Sequence, residues 1–205
     1  MPVNRALLAA LGSAALLAAC SSDPSPAAPA PGGQRATAVF AGGCFWCTES
    51  DFDKMPGVIS TVSGYTGGKL ANPTYEQVSA GNTGHIEAVR VTYDPSKVSY
   101  AELALRFMKT IDPLDSGGSF CDRGYQYRSA FFVANDQQRR IAEAAKARAT
   151  QQLKRPIATL VLPASTFTPA EDYHQDYYKK NPVRYKLYRS RCGRDARLAE
   201  VWGGK

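Results

Sequence analysis

The chain has 205 residues, 44% of them hydrophobic and 21% charged, with a formal net charge of +7. That composition supports one ordinary domain with its own core and excludes a chain disordered throughout. Five cysteines point the reading toward disulfide, metal or thiol chemistry.

In chain order, the first residues read as a leader. Arg5 precedes an unbroken small and apolar run from Ala6 to Ala19, too short to span a bilayer and ordered like a secretory signal. The run ends in Leu17-Ala18-Ala19-Cys20, which resembles the lipobox of bacterial lipoproteins, where cleavage precedes the cysteine and its sulfur is lipidated. The expected organisation is a signal peptide over 1–19, lipid on Cys20, a Pro/Ala/Ser linker over 20–35 that cannot build a core, and a folded domain over 36–205. The chain is then exported and tethered to a membrane through its lipid, on the periplasmic or cell-surface side. A soluble secreted protein cut near Ala19 is the alternative.

The run Thr37-Ala38-Val39-Phe40-Ala41 is β-like and leads into Gly42-Gly43-Cys44-Phe45-Trp46-Cys47-Thr48-Glu49, so Cys44 falls where strand becomes helix. First-turn N–H groups and the positive end of the helix dipole there favour a thiolate, the reactive form of cysteine. Val58 to Tyr65 reads as a strand, and Asn72 to Val78 as a short helix capped by Thr74 with Gln77 three residues on. The strand His85 to Tyr93 puts Glu87, Val89, Val91 and Tyr93 on one side. A carboxylate on so apolar a face is expected to hold its proton to a higher pH, which suits a proton donor. The competing reading is a strand-end glutamate that curls back into water.

Ser99 and Glu102 open a helix whose buried stripe is Leu103, Phe107 and Met108, and a Gly/Asp-rich loop follows through Phe120-Cys121-Asp122-Arg123-Gly124. Ala130 to Val133 is a strand, Asn135 or Asp136 caps a long helix, and Ile157 to Leu162 reads as the last strand. Glu171 to Tyr178 is a helical or turn segment, and after Asn181-Pro182 periodicity is lost, leaving an irregular tail with Cys192 in it. The late basic residues Lys179, Lys180, Arg184, Lys186, Arg189, Arg191, Arg194 and Arg197 read as a solvated face rather than a lipid-headgroup patch. Nucleic acid is not expected as a partner of an exported chain. The fold class is α+β, a two-layer sandwich with a mixed β-sheet covered by helices and a long irregular C-terminal tail.

With Cys20 given to lipid, Cys44, Cys47, Cys121 and Cys192 remain in a disulfide-permissive compartment, and two structural bridges are one account of them. A four-thiolate zinc site is disfavoured because the second half lacks a short-spaced pair.

Gly43-Cys44-Phe45-Trp46, Gly64-Tyr65-Thr66-Gly67-Gly68, Asn72-Pro73-Thr74-Tyr75, Thr83-Gly84-His85-Ile86-Glu87 and Gln126-Tyr127-Arg128-Ser129 together resemble the methionine sulfoxide reductase A family. Tyr93-Asp94-Pro95, Asp112-Pro113 and Glu171-Asp172-Tyr173-His174-Gln175 fit the same pattern. The resemblance implies that a Cys44 thiolate attacks the sulfur of S-epimeric methionine sulfoxide, peptide-bound or free, while Glu87 protonates the departing oxygen. It implies that Tyr75 and Tyr127 hydrogen-bond that oxygen, that Phe45 and Trp46 hold the S-methyl group, that Asp112 is a polar site residue and that His174 has a structural hydrogen-bonding role. A second thiol would then resolve the sulfenic acid as a disulfide, and an external thioredoxin-like dithiol would reduce it, with no bound cofactor and no metal.

In the commonest form of that family, glycine follows Gly-Cys-Phe-Trp; here the residue is Cys47. The resolving residue is therefore open between Cys47, one helical turn from Cys44, and Cys192, whose tail position matches resolving cysteines in many members. Cys121 is a lesser candidate. The chain is expected to act as a monomer that repairs oxidised exported proteins. A thioredoxin-like exchanger built on Cys44 and Cys47 is the other functional reading, and it leaves Glu87 and the tyrosines without a task.

Overall fold

The computed structural model describes residues 34–203, so the expected signal peptide, Cys20 and most of the linker lie outside the described residues. Among the described residues, no helix is long and apolar enough to cross a membrane. The chain forms β1 (Ala36–Ala41), α1 (Phe45–Phe52), β2 (Val58–Thr66), α2 (Tyr75–Ser79), β3 (Ile86–Tyr93) and α3 (Tyr100–Lys109). A small hairpin of β4 (Gly118–Ser119) and β5 (Asp122–Arg123) follows, then a single 3-10 turn over Tyr125–Tyr127. β6 (Ala130–Val133), α4 (Asp136–Leu153), β7 (Leu160–Pro163), β8 (Thr168–Pro169), α5 (Tyr177–Lys180), α6 (Pro182–Arg191) and α7 (Arg194–Trp202) complete it.

The main sheet has six strands in the order β7-β6-β1-β3-β2-β8. All neighbours are antiparallel except β6 and β7, which run parallel with α4 as their crossover. Strand periodicity sorts β3 as its sequence requires. Val89, Val91 and Tyr93 enter the larger core with Phe40, Phe107 and Phe131, while Ile86 and Ala88 join Ala41, Ala130 and Phe132 on the other face. Phe40 is the centre of the larger core, with ring centroids 4.8 Å from Phe52 and 5.0 Å from Phe107. α1, α3 and α4 cover that face, α4 through the small residues Ala142, Ala145 and Ala149. This is the α+β, helix-on-mixed-sheet architecture that the sequence predicts.

Three expectations about the C-terminal third are corrected. Ile157 to Leu162 is not the last strand: β7 begins at Leu160, and β8 follows, pairing with β2 at the opposite edge of the sheet. The tail is not irregular either, because α6 and α7 occupy most of it. Their periodicity is hard to read because polar anchors rather than an apolar stripe fasten them. Tyr185 is the one buried residue of α6 and Arg194 the one buried residue of α7. Arg194 donates to the carbonyls of Gly42 at 3.2 Å and Thr110 at 2.7 Å, with Asp51 3.6 Å away. Arg189 pairs with Asp51 and Asp195, and Arg197 with Asp112 and Glu200. These three arginines are therefore structural anchors and not part of a solvated basic face. Cys192 caps α6 and is bonded to Cys121, so it does not sit in an irregular tail.

Candidate active site

β1 ends at Ala41 and the chain turns through Gly42 and Gly43 into α1, with Cys44 at the N-cap. Gly43 has φ +84°, and a Cβ there would lie 2.5 Å from that of Ser119, so both backbone and space demand glycine. This turn aims the first peptide N–H of α1 at β3: Phe45 N donates to Glu87 Oε2 at 3.0 Å.

Glu87 is 2% exposed, which rules out a carboxylate curled into water. Burial pushes its pKa from 4.5 up to about 8; the Phe45 N–H pulls the other way, and the negative charges of Asp122 and Cys47 add to the rise. At neutral pH Glu87 is therefore a carboxylic acid with a proton to give.

Cys44 differs from its expected resting state. The first N–H of α1 is taken by Glu87, and Cys44 makes no side-chain cap hydrogen bond. Burial, its hydrogen bond with Cys47, and the negative charges of Cys47, Glu87 and Asp122 all raise its pKa well above 9. Cys47 is brought down to about 7, chiefly by the hydrogen bond from Cys44, with Arg194 and Arg189 helping against burial. Cys44 is thus held toward the thiol and Cys47 drawn toward the thiolate, with both sulfurs buried.

Cys44 opens into a cleft of about 230 Å³ lined by Phe45, Trp46, Tyr75, Glu87, Asp122, Tyr127 and Tyr188. Trp46 is fixed on two sides: its Nε1 donates to His174 Nδ1 at 2.9 Å, and its ring stacks on Tyr177 with centroids 3.8 Å apart. The indole bond assigns the His174 proton to Nε2, and burial lowers the pKa of the ring, keeping it neutral and able to accept. Tyr75 stands at the start of α2, whose capping box between Thr74 and Gln77 is complete, and its backbone N–H donates to Glu171 Oε1 at 2.9 Å. Burial raises the pKa of Tyr75 to about 12 and those of Tyr127 and Tyr188 further. All three hydroxyls therefore keep their protons, and those of Tyr75 and Tyr127 can donate to a ligand oxygen.

Six residues expected at the site, namely Cys44, Phe45, Trp46, Tyr75, Glu87 and Tyr127, meet in this one cleft. Asp112 does not join them. It is buried elsewhere, its Oδ1 accepting from Leu114 N at 3.0 Å and its Oδ2 from Arg197 Nε at 2.7 Å, so it closes the turn after α3 and anchors α7. The aspartate at the cleft is Asp122. Tyr188 is the other residue the sequence did not place there, and its hydroxyl donates to Asp122 Oδ2. A helical reading of Tyr185, Tyr188, Arg189 and Cys192, at spacings of three and four, would have pointed to a common inward face. Of the two candidate resolving cysteines, Cys192 is engaged with Cys121, while Cys47 is free and in contact with Cys44.

A family model described as peptide methionine sulfoxide reductase matches residues 36–205. The chain is 52% identical over 198 residues to peptide methionine sulfoxide reductase MsrA 2 of Caulobacter vibrioides, covering 96% of this chain and 98% of that one. Among solved structures, methionine sulfoxide reductase A of Corynebacterium diphtheriae superposes with a TM-score of 0.65 at 36% identity, over 76% of this chain and 78% of that one. Mxr1 of Saccharomyces cerevisiae in its reduced form gives 0.69 at 30% identity, over 73% and 87%. The yeast protein is also solved in complex with Trx2, where the likeness is 22% identity with a TM-score of 0.52, over 75% and 90%. With its cysteine, carboxylic acid and tyrosines gathered in one cleft, and matched over nearly its whole described length, the chain belongs to the peptide methionine sulfoxide reductase family.

Proposed function

We propose that this protein reduces the S epimer of methionine sulfoxide, free or within peptides, with Cys44 as the attacking sulfur and Cys47 as the resolving one. The observation that carries this reading is the meeting of the Cys44 sulfur and the protonated, buried Glu87 carboxyl at one apolar-walled cleft. Cys44 attacks the sulfoxide sulfur, and Glu87 gives its proton to the oxygen, whose negative charge grows in the transition state. The thiol proton of Cys44 restores Glu87. The S–O bond breaks as oxygen passes to Cys44, so methionine sulfoxide and thiol become methionine and a sulfenic acid. Tyr75 and Tyr127 supply hydroxyl donors to the oxygen. Phe45 and Trp46 offer the apolar surface that the S-methyl group takes up.

Cys47 then attacks the sulfenic sulfur, releasing water and forming a Cys44–Cys47 disulfide. Its position one helical turn away and its pKa of about 7, close to the optimum for an attacking thiol, support this role. The engagement of Cys192 with Cys121 supports it from the other side. A thioredoxin-like dithiol returns the pair to thiols, in keeping with the yeast relative solved with Trx2, and no bound cofactor takes part. The Cys121–Cys192 disulfide also favours an oxidising compartment, as the Leu17-Ala18-Ala19-Cys20 pattern does, so the protein acts outside the cytoplasm as a lipid-anchored monomer that repairs exported proteins.

The test is single-turnover reduction of the separate S and R sulfoxides by wild type and Cys47→Ser. Both proteins are expected to give about one methionine per enzyme from the S epimer alone, as required when one sulfur takes the oxygen. In Cys47→Ser a sulfenic acid should persist on Cys44, detectable by mass after dimedone treatment, and steady turnover with a dithiol should fall at least about tenfold. Full turnover by Cys47→Ser would assign resolution to another thiol.

A further inference from the structure

Two segments far apart in sequence bring polar groups to the Cys44 cleft: Asp122 from β5 and Tyr188 from α6. The Tyr188 hydroxyl donates to Asp122 Oδ2, and its ring meets Trp46 edge-on with centroids 5.6 Å apart. Each of these two residues lies beside one half of the second cysteine pair. Cys121 is the neighbour of Asp122 in the chain, and Cys192 stands four residues after Tyr188, on the same side of α6. The two cysteines are joined across 71 residues, with their Cα atoms 4.9 Å apart.

The chemistry proposed above uses only Cys44 and Cys47, so this disulfide has no task in the electron path. Besides the disulfide, α6 is held by its one buried residue, Tyr185, and by the ion pairs of Arg189 with Asp51 and Asp195, neither of which bears on Asp122. An unpartnered Asp122 carboxylate at the cleft would repel the sulfoxide oxygen, whose negative charge grows as the S–O bond breaks. The Tyr188 hydroxyl occupies one carboxylate oxygen and disperses that charge.

We propose that the Cys121–Cys192 disulfide is a positioning staple and not a redox relay: it holds the Tyr188 hydroxyl on Asp122, so that a partnered carboxylate faces the bound sulfoxide. This rests on the functional reading above. Tyr188 and the disulfide are positioning groups that act through Asp122. Cross-linking the ends of so long a segment restricts α6 to a narrow set of placements against the β4–β5 hairpin.

The experiment compares wild type, Tyr188→Phe, the double variant Cys121→Ser/Cys192→Ser and the triple variant. Each is prepared with Cys44 and Cys47 as free thiols and, where present, the Cys121–Cys192 disulfide intact, as checked by thiol titration, then mixed with one equivalent of the S sulfoxide and followed for methionine; recycling is then measured with a thioredoxin-like dithiol, and thermal melts are recorded separately. Wild type should give one methionine per enzyme; if it gives none, the functional reading fails and not the staple. Tyr188→Phe and the double variant should each slow the methionine-forming step about tenfold, the usual effect of losing one hydrogen bond to a charged group, with the yield intact. The triple variant should be no slower than Tyr188→Phe, because both changes remove the same contact. A purely structural bridge would make the losses multiply to about a hundredfold, and that result overturns the proposal. So does a double variant that forms methionine at the wild-type rate, or one that stops after a single turnover, which would put the disulfide in the electron path. Should the serine variant fail to fold, Tyr188→Phe alone still decides, since a wild-type rate there removes the contact from the reaction.

Discussion

Cys44→Ser is expected to abolish methionine formation, lowering single-turnover reduction by about four orders of magnitude or more. No other group at the cleft can take over: Cys47 is the remaining free sulfur among the described residues, and the cleft opens onto Cys44 and not onto it. A serine hydroxyl in the same place is a far weaker nucleophile toward sulfur, and it cannot form a disulfide. The same variant also probes the resting state, in which Cys44 donates its proton to Cys47. A serine hydroxyl donates as well, so the thiolate absorbance of Cys47 should still appear near neutral pH while methionine production disappears. Methionine formed at more than a trace by this variant contradicts the assignment.

Glu87→Gln is expected to slow methionine formation by about 10²- to 10⁴-fold, the usual loss when a positioned general acid is removed. In the wild type the rate should fall as pH rises through about 8, because above that value Glu87 has lost the proton it must give. The glutamine variant should lack this limb. Stability carries a second signature. The folded-state pKa of Glu87 lies above its ordinary 4.5, so the native state binds this proton more tightly than the unfolded chain does. The associated stability is fully present below about pH 4.5 and is lost as pH rises through about 8. Glutamine has no charge to bury, so urea melts should show the variant gaining on wild type across that window while its activity is low. An active Glu87→Gln enzyme with the wild-type pH profile would remove Glu87 from the chemistry.

Much of this site is legible in sequence because short-range patterns fix it. The strand-turn-helix geometry at Gly43 and Cys44, the capping box that sets Tyr75 and the alternation that turns Glu87 inward each depend on residues within a few positions of one another. Contacts made across the fold are less legible. An Asp-Pro pair made Asp112 look like a site residue, but only the placement of Arg197 shows it to be an anchor, and only the β4–β5 hairpin carries Asp122 to the cleft. Tyr188 escaped for a related reason. Its helix hides no apolar stripe, since salt bridges from Arg189 and the disulfide at Cys192 fasten it. The charge state of Cys44 shows the same limit. Sequence supplies the helix start, but the partner of its first N–H lies 42 residues on, and burial with the neighbouring Cys47, Glu87 and Asp122 raises the thiol's pKa.

The most direct test of the central claim is a disulfide map of the wild-type protein after reaction with one equivalent of S-epimeric methionine sulfoxide. Peptides from digestion under acidic, thiol-blocked conditions should contain a new Cys44–Cys47 bond, formed in step with one methionine, beside an unchanged Cys121–Cys192 bond. A bond from Cys44 to Cys192 or Cys121, or methionine formed with Cys44 still a free thiol, would contradict the account.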